Sequence, residues 1–432
     1  MEKIKHIINY IIIFFITLLL LTGALIISAK ISKSAIKENT KESAEYLCEG
    51  ELFGTVVDGV NGSKIDRYAD SVLLGIAYQY DSEHPLKSVM LSSYYYSPIQ
   101  NENDNLFDAV NNGYEANQQY LRYWHGSNAI VRPLLTIFNI EQIYVFNGII
   151  IGALVVTLLV MLLKKKEYIL AVGVVIGLVM TSSWFVPLSL EYTWTYIVML
   201  IMSVVGLILI HKSQWKYMGI FFMVGGMVTS YLDFLTTETL TLLVPLLIVM
   251  WVDSRNKSKC STLDIFRNVT KTVIPWGCGY AGMWMMKWVM ASVILGENVT
   301  PYVYANIEER MLGSVGSRWE CSLASICRNV SCLLPYEYGS MGLLIGILLI
   351  LLALYLGFVY RKKEVDKGRI CIYLLIGLVP YIRYIVVLNH SYLHYFFTYR
   401  AQMATIIAIV LILGEMVEWR WIFNANARKR KR

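Results

Sequence analysis

The stretch IINYIIIFFITLLLLTGALIIS, residues 7–28, carries no charged side chain over its 22 residues. A helix of that length rises about 33 Å, enough to cross a hydrocarbon core of about 30 Å. Lys3 and Lys5 precede it and Ala24 and Ala29 stand near its end, a pattern shared with secretory leaders. Its length favours an anchor that is retained.

The rest of the chain repeats this theme. Of 432 residues, 56% are hydrophobic and only 16% charged, and the mean hydropathy is +0.52, far above that of a soluble domain. Lipid tolerates no unpaired backbone, so long apolar runs read as helices. Ten runs stand out, at 7–28, 143–163, 168–188, 190–210, 217–236, 238–252, 272–296, 341–360, 370–388 and 399–419. The expected fold is therefore an all-α polytopic membrane protein of about 10 transmembrane helices, with a large first extracytoplasmic loop containing interfacial helices.

Positive residues near span ends set orientation. With the N-terminus inside, MEKIKH, KKKE, HKSQWK, the segment from DSRNKSK to NVTK, RKKEVDKGR and the tail ARKRKR hold more than half of the 38 lysines and arginines. Both termini are then cytoplasmic in a multi-pass protein of the cell membrane. The net charge of +7 follows this topology and argues against nucleic-acid binding.

The chain divides into an anchor span, 1–28, an extracytoplasmic loop, 29–142, a transmembrane bundle, 143–296, a second extracytoplasmic loop, 297–340, and C-terminal spans with a basic tail, 341–432. Close to half of the 31 acidic residues fall in the first loop. Cys48, Cys321, Cys327 and Cys332 lie outside, Cys260 inside, and Cys278 and Cys371 in or near spans. The outer four allow two disulfides or four free thiols, and no spacing matches a zinc site.

Within the first loop, SKIDRYADSVLLGIAYQY, residues 63–80, has an amphipathic helical period. Ile65, Ala69, Val72, Leu73, Ile76, Ala77 and Tyr80 fall on one face, and Asp66, Arg67, Asp70, Ser71 and Gln79 on the other. Such a helix is expected to lie along the membrane surface with its polar face outward. Asp66 and Asp70 share a face, suited to taking a proton from an acceptor hydroxyl. A plain capping box of Ser63 with Asp66 fits the same residues. Further on, Tyr123 and Trp124 read as interfacial anchors and Pro133 as a helix start before the second span.

Topology and motif together resemble the GT-C superfamily of integral-membrane glycosyltransferases. In branches that move mannose onto proteins or aminoarabinose onto lipid A, an Asp-Glu pair is followed closely by Arg/Tyr-Tyr-Ala. Here Ile65-Asp66-Arg67-Tyr68-Ala69-Asp70 matches the Arg-Tyr-Ala part, with no Asp-Glu pair before it. The resemblance implies a polyprenyl-phosphate-linked sugar donor, a glycan or lipid acceptor of the cell envelope, and a first-loop aspartate as general base. Either Asp66 or Asp70 fits that role.

A phosphate leaving group needs cations where its charge develops. Arg67, Arg122, His125, Arg132 and Arg400 are the candidates, together with His390 and His394, four residues apart. Two imidazoles are a weak metal site, so no cofactor is assigned, although a divalent metal is compatible. Asp233, with Glu238, marks the turn between two spans and is a further substrate-binding candidate. Lys287 and Arg383 lie deeper within spans and could meet the donor's phosphate or anchor the bundle; Glu308, Glu309 and Arg310 could cover the acceptor, and a solvated charge run is the plainer reading. Nucleotide-binding loops and nucleophile elbows are missing from the sequence. The alternatives are a polysaccharide polymerase or ligase, a lipid-linked glycan transporter or flippase, and a membrane scaffold.

Overall fold

A computed structural model describes residues 2–256, 262–311 and 316–419; Cys260 and the basic tail segment 427–432 lie outside them. Among the described residues the chain is helical, with three isolated β-bridges and no strand. The long first helix, α1 (Glu2–Ala29), leads into a cap formed by α2 (Lys33–Cys48), α3 (Arg67–Gln79), α4 (Pro85–Leu91), α5 (Glu102–Asn111) and α6 (Asn128–Leu134). The bundle follows as α7 (Ile140–Lys164), α8 (Tyr168–Met180), α9 (Leu190–His211), α10 (Trp215–Leu232), α11 (Leu240–Asn256) and α12 (Thr262–Leu295). The second loop holds α13 (Thr300–Met311) and α14 (Arg318–Ser331). The chain returns through α15 (Gly339–Val359) and α16 (Lys367–Val386), then α17 (Leu388–Leu393), α18 (Tyr395–Thr398) and α19 (Met403–Met416).

The fold is that of an all-α polytopic membrane protein, but the count of spans is corrected. Among the described residues seven helices, not ten, are long and apolar enough to cross a membrane. The run at 168–188 breaks after α8, because Ser182 takes a left-handed backbone (φ 47°) and a 3-10 turn over Ser183–Leu188 follows. Its 13 residues reach only about 20 Å. The run at 217–236 becomes α10, diluted by Lys216, Ser230 and Thr229, and that at 238–252 becomes α11, which ends on Asp253 and Arg255. From Leu242 to Val252 nearly every side chain of α11 is buried, as suits a helix that is apolar all round and enclosed by protein. By contrast α15 exposes Leu344, Leu348 and Leu351, a surface that only lipid suits.

Small residues bring the central helices together. A Cβ on Gly226 of α10 would stand 2.1 Å from the Trp276 carbonyl, and one on Gly279 of α12 2.1 Å from the Met223 carbonyl. Backbones this close are how membrane helices gain packing without a hydrophobic driving force.

The cap differs from expectation in one important respect. The helix predicted at 63–80 is observed as α3, but it does not show its polar face to water: Asp70 through Tyr78 are all buried. α2 and α5 pack on it from one side and α9 from another, so its polar residues are turned into protein. Pro133 lies inside short α6; the start of α7 is instead a capping box of Asn139 with Gln142. Among the described residues all six cysteines are free, so the two disulfides allowed by the sequence are not formed.

Candidate functional site

A cavity of about 310 Å³ opens where the cap, α9 and the second loop meet. That is near the lower end of the roughly 300–1,000 Å³ typical of ligand sites. Its charged lining is Asp66, Glu191, Glu309, Arg122 and Arg310, with His125, His390 and His394 beside them. Tyr68, Tyr120, Tyr123, Phe53, Phe234 and Phe397 supply its aromatic walls.

Local folding rules place the two carboxyls. Asp66 is the N-cap of α3 and accepts from the Ala69 amide at 2.8 Å, which satisfies one of the free donors of the first turn. Ser63 bonds back to Val57 and Val60 instead of taking part in that cap. One turn later, Asp70 accepts from the Leu190 amide at 2.9 Å, from Ser189 Oγ at 3.2 Å, and from the Tyr144 hydroxyl. It thereby caps α9, where a carboxylate suits the positive end of the helix. Fixing that end sets Glu191, the next residue along, as hydrogen-bond neighbour of Asp66. Among the described residues Glu191 Oε2 has no hydrogen-bond partner.

Burial raises the pKa of Asp66 to about 6, against the lowering effect of the Ala69 amide and the bond to Glu191. Burial likewise raises Asp70 to about 7, opposed by its bond from Tyr144. Two adjacent buried carboxyls hold a proton between them, so the Asp66–Glu191 pair can take up or release one. Asp70 is not part of the cavity lining and has its oxygens occupied by donors.

The expected cations separate in the same way. Arg122 lines the cavity, donating to the Tyr120 hydroxyl at 2.5 Å and to Asn306 Oδ1. Three others are used by the fold. Arg67 donates to the Tyr46 and Leu47 carbonyls at the end of α2. Arg132 donates to the carbonyls of Ala77 and Ile31. Arg400 lies against the Tyr192 and Tyr399 rings and donates to the Gly62 carbonyl at 2.9 Å.

The second arginine of the cavity is Arg310. It enters the cavity from α13 and contacts His390 Nδ1 at 2.6 Å, while His390 Nε2 contacts the Leu235 carbonyl at 2.7 Å. An arginine has no acceptor, so His390 accepts at Nδ1 and carries its hydrogen at Nε2. Burial, with His394 and Arg310 beside it, pushes its pKa well below the usual histidine range. Burial, followed by Arg310, lowers His394 to about 4. His125 is also held neutral by burial, on a left-handed backbone (φ 51°).

Asp233 lies beside the cavity and folds the turn between α10 and α11, accepting from the amides of Leu235 and Thr236. Both ring nitrogens of His390 are engaged, and among the described residues no group of three histidine, cysteine, aspartate or glutamate side chains is gathered to hold a metal. The two deep cations also have internal partners. Lys287 Nζ donates to the Val89 and Met90 carbonyls, and Arg383 pairs with Glu238 at 2.6 Å.

A second, apolar cavity of about 170 Å³ adjoins the first. Trp284, Trp288, Val303, Met311 and Val387 line it, and Arg122, Tyr123 and Arg310 belong to both linings. Glu191 is the residue that sequence reading passed over. The signal for Glu191 was a lone carboxyl at the start of an apolar run, SLEYTW.

Comparison with protein-family models, with curated proteins and with solved structures gives no match. The site's own chemistry is therefore the guide to what it does.

Proposed function

We propose that the protein is a membrane glycosyltransferase of GT-C type, moving a sugar from a polyprenyl-phosphate donor to a glycan or lipid acceptor on the extracytoplasmic side of the cell membrane. One observation carries this reading: two arginines stand on the border between a carboxyl-lined chamber and an apolar groove. An amphiphilic phosphate needs that sequence of surroundings, with its chain in the groove, its phosphate at the border and its sugar in the chamber.

In this reaction the acceptor hydroxyl gives its proton to the Asp66 carboxylate as its oxygen bonds to the anomeric carbon. The bond from that carbon to the phosphate oxygen breaks, and its electron pair leaves with the phosphate. Arg122 and Arg310 face the charge that develops there, in a site where fixed donors act strongly. Glu191 holds the proton that lets Asp66 stay ionised beside it. Direct displacement inverts the anomeric configuration.

Incubating the purified protein with labelled polyprenyl-phosphate sugars tests the proposal. Transfer by the native protein and its loss in Asp66→Asn are expected; full activity in that variant would remove the mechanism. A flippase would leave cations free to meet a crossing substrate, whereas Lys287 and Arg383 are committed to Val89, Met90 and Glu238.

A further inference from the structure

A third cavity lies at the other end of the bundle. Along α10, Lys216 stands seventeen residues before Asp233, about 25 Å of helix away. The cavity measures about 710 Å³ and is bounded by α1, α10 and α12. α10 forms its floor, where the Tyr10 hydroxyl of α1 lies so close to Gly219 that a Cβ there would stand 1.9 Å from it. Farther along, the Phe14 ring of α1 lies against Gly282 of α12.

Its lining combines two chemistries. Lys216, Arg267 and Lys271 supply cations, with His6 packed edge-on to Tyr10 at 5.1 Å. Among the described residues none of the three cations is matched by a carboxylate in an ion pair. Asp253 nearby accepts from Trp215 Nε1 at 2.7 Å and from Asn268 Nδ2 at 3.3 Å. The first turn of α10 begins at Trp215 without a side-chain cap, and its amide donors add to the positive field. Beside these cations, Ile7 and Ile11 of α1 and Phe266 and Ile274 of α12 are exposed, making an apolar track on the lipid-facing surface.

We propose that this groove binds an anionic phospholipid, with its phosphate among Lys216, Arg267 and Lys271 and an acyl chain along α1 and α12. Basic pockets between membrane helices suit anionic headgroups, and the adjoining exposed isoleucines suit a chain. A free phosphate would use only the cations. The site is independent of the reaction assigned to the chamber.

Native mass spectrometry of the full chain in detergent, titrated with phosphatidylglycerol, phosphatidylcholine or glycerol phosphate, tests the proposal. The native protein is expected to retain phosphatidylglycerol over phosphatidylcholine. The Lys216→Gln, Arg267→Gln, Lys271→Gln triple variant should lose roughly tenfold or more of that retention. Thr270→Trp, which narrows the groove while keeping every charge, should lose it too; if the triple variant does not fold, this variant and the three single changes carry the test. Equal retention by folded variants, or glycerol phosphate binding as tightly as the lipid, would overturn the assignment.

Discussion

Asp66 and Asp70 are one turn apart on α3 and almost equally buried, at 3% and 1% exposure, yet they occupy two different regions of the molecule. The Asp70 side faces the bundle, where an amide and two hydroxyls donate to its carboxyl. The Asp66 side faces the chamber, with one amide and a second carboxyl for company. Donors turn a buried carboxylate into a structural tie, and a cavity leaves it available for chemistry. Burial alone does not separate the two roles.

The largest expected effect breaks the comparison from the chamber side. Asp66→Asn should lower sugar transfer by roughly 10²–10⁴, measured with labelled donor, while thermal melting shows an intact fold. Asp70→Ala should weigh mainly on the fold. It leaves the Leu190 amide and two hydroxyls without their acceptor and costs on the order of 2–4 kcal/mol of stability, with a smaller loss of turnover per folded molecule than Asp66→Asn causes. A melting curve that did not move would show that Asp70 is no tie.

The pH dependence sharpens the contrast. If Asp66 is the base, activity rises as pH approaches about 6 and levels off above it, where the carboxylate predominates. Stability runs the other way. Burial raises the folded pKa above the unfolded value of about 3.9, so the native state binds more protons between the two. Asp66's contribution then falls as pH rises through that window, and Asp66→Asn should remove that part of the slope in pH-resolved melting.

A smaller effect concerns the neighbour. Its hydrogen bond lowers the pKa of Asp66, so Glu191→Leu should move the acid limb of the activity profile to higher pH. Glu191→Gln keeps a donor and should leave the limb in place. Smallest of all, Arg67→Gln removes bonds to the last carbonyls of α2 and should cost about 1 kcal/mol, read by melting, without touching the chamber chemistry.

The membrane class was legible because apolar length is a local property, and residues 7–28 state it in one run. The count of spans was less legible. Whether α8, α10 and α11 face lipid or protein depends on neighbours, and the sequence of α11 is apolar in either case. The spacing of Asp66 and Asp70 showed a shared helix face, but the donors that separate them come from Tyr144, Ser189 and Leu190. Arg310 was hidden for the same reason: next to Glu308 and Glu309 it reads as a solvated charge, and only His390, eighty residues later, places it. Arg132 and Arg400 read as phosphate-binding candidates, and the carbonyls they hold come from residues 101 and 338 positions away.

That last bond bears on how the molecule is made. The Gly62 carbonyl accepts from both Arg400 and the Tyr399 hydroxyl, and the Gly62 amide donates to Glu337. A ribosome adding about 5–20 residues per second delivers Arg400 some tens of seconds after Gly62. Until then the segment leading to Asp66 stands without its clasp. A chain halted before its last membrane helix would carry every carboxyl of the chamber and still lack the latch that holds them in position.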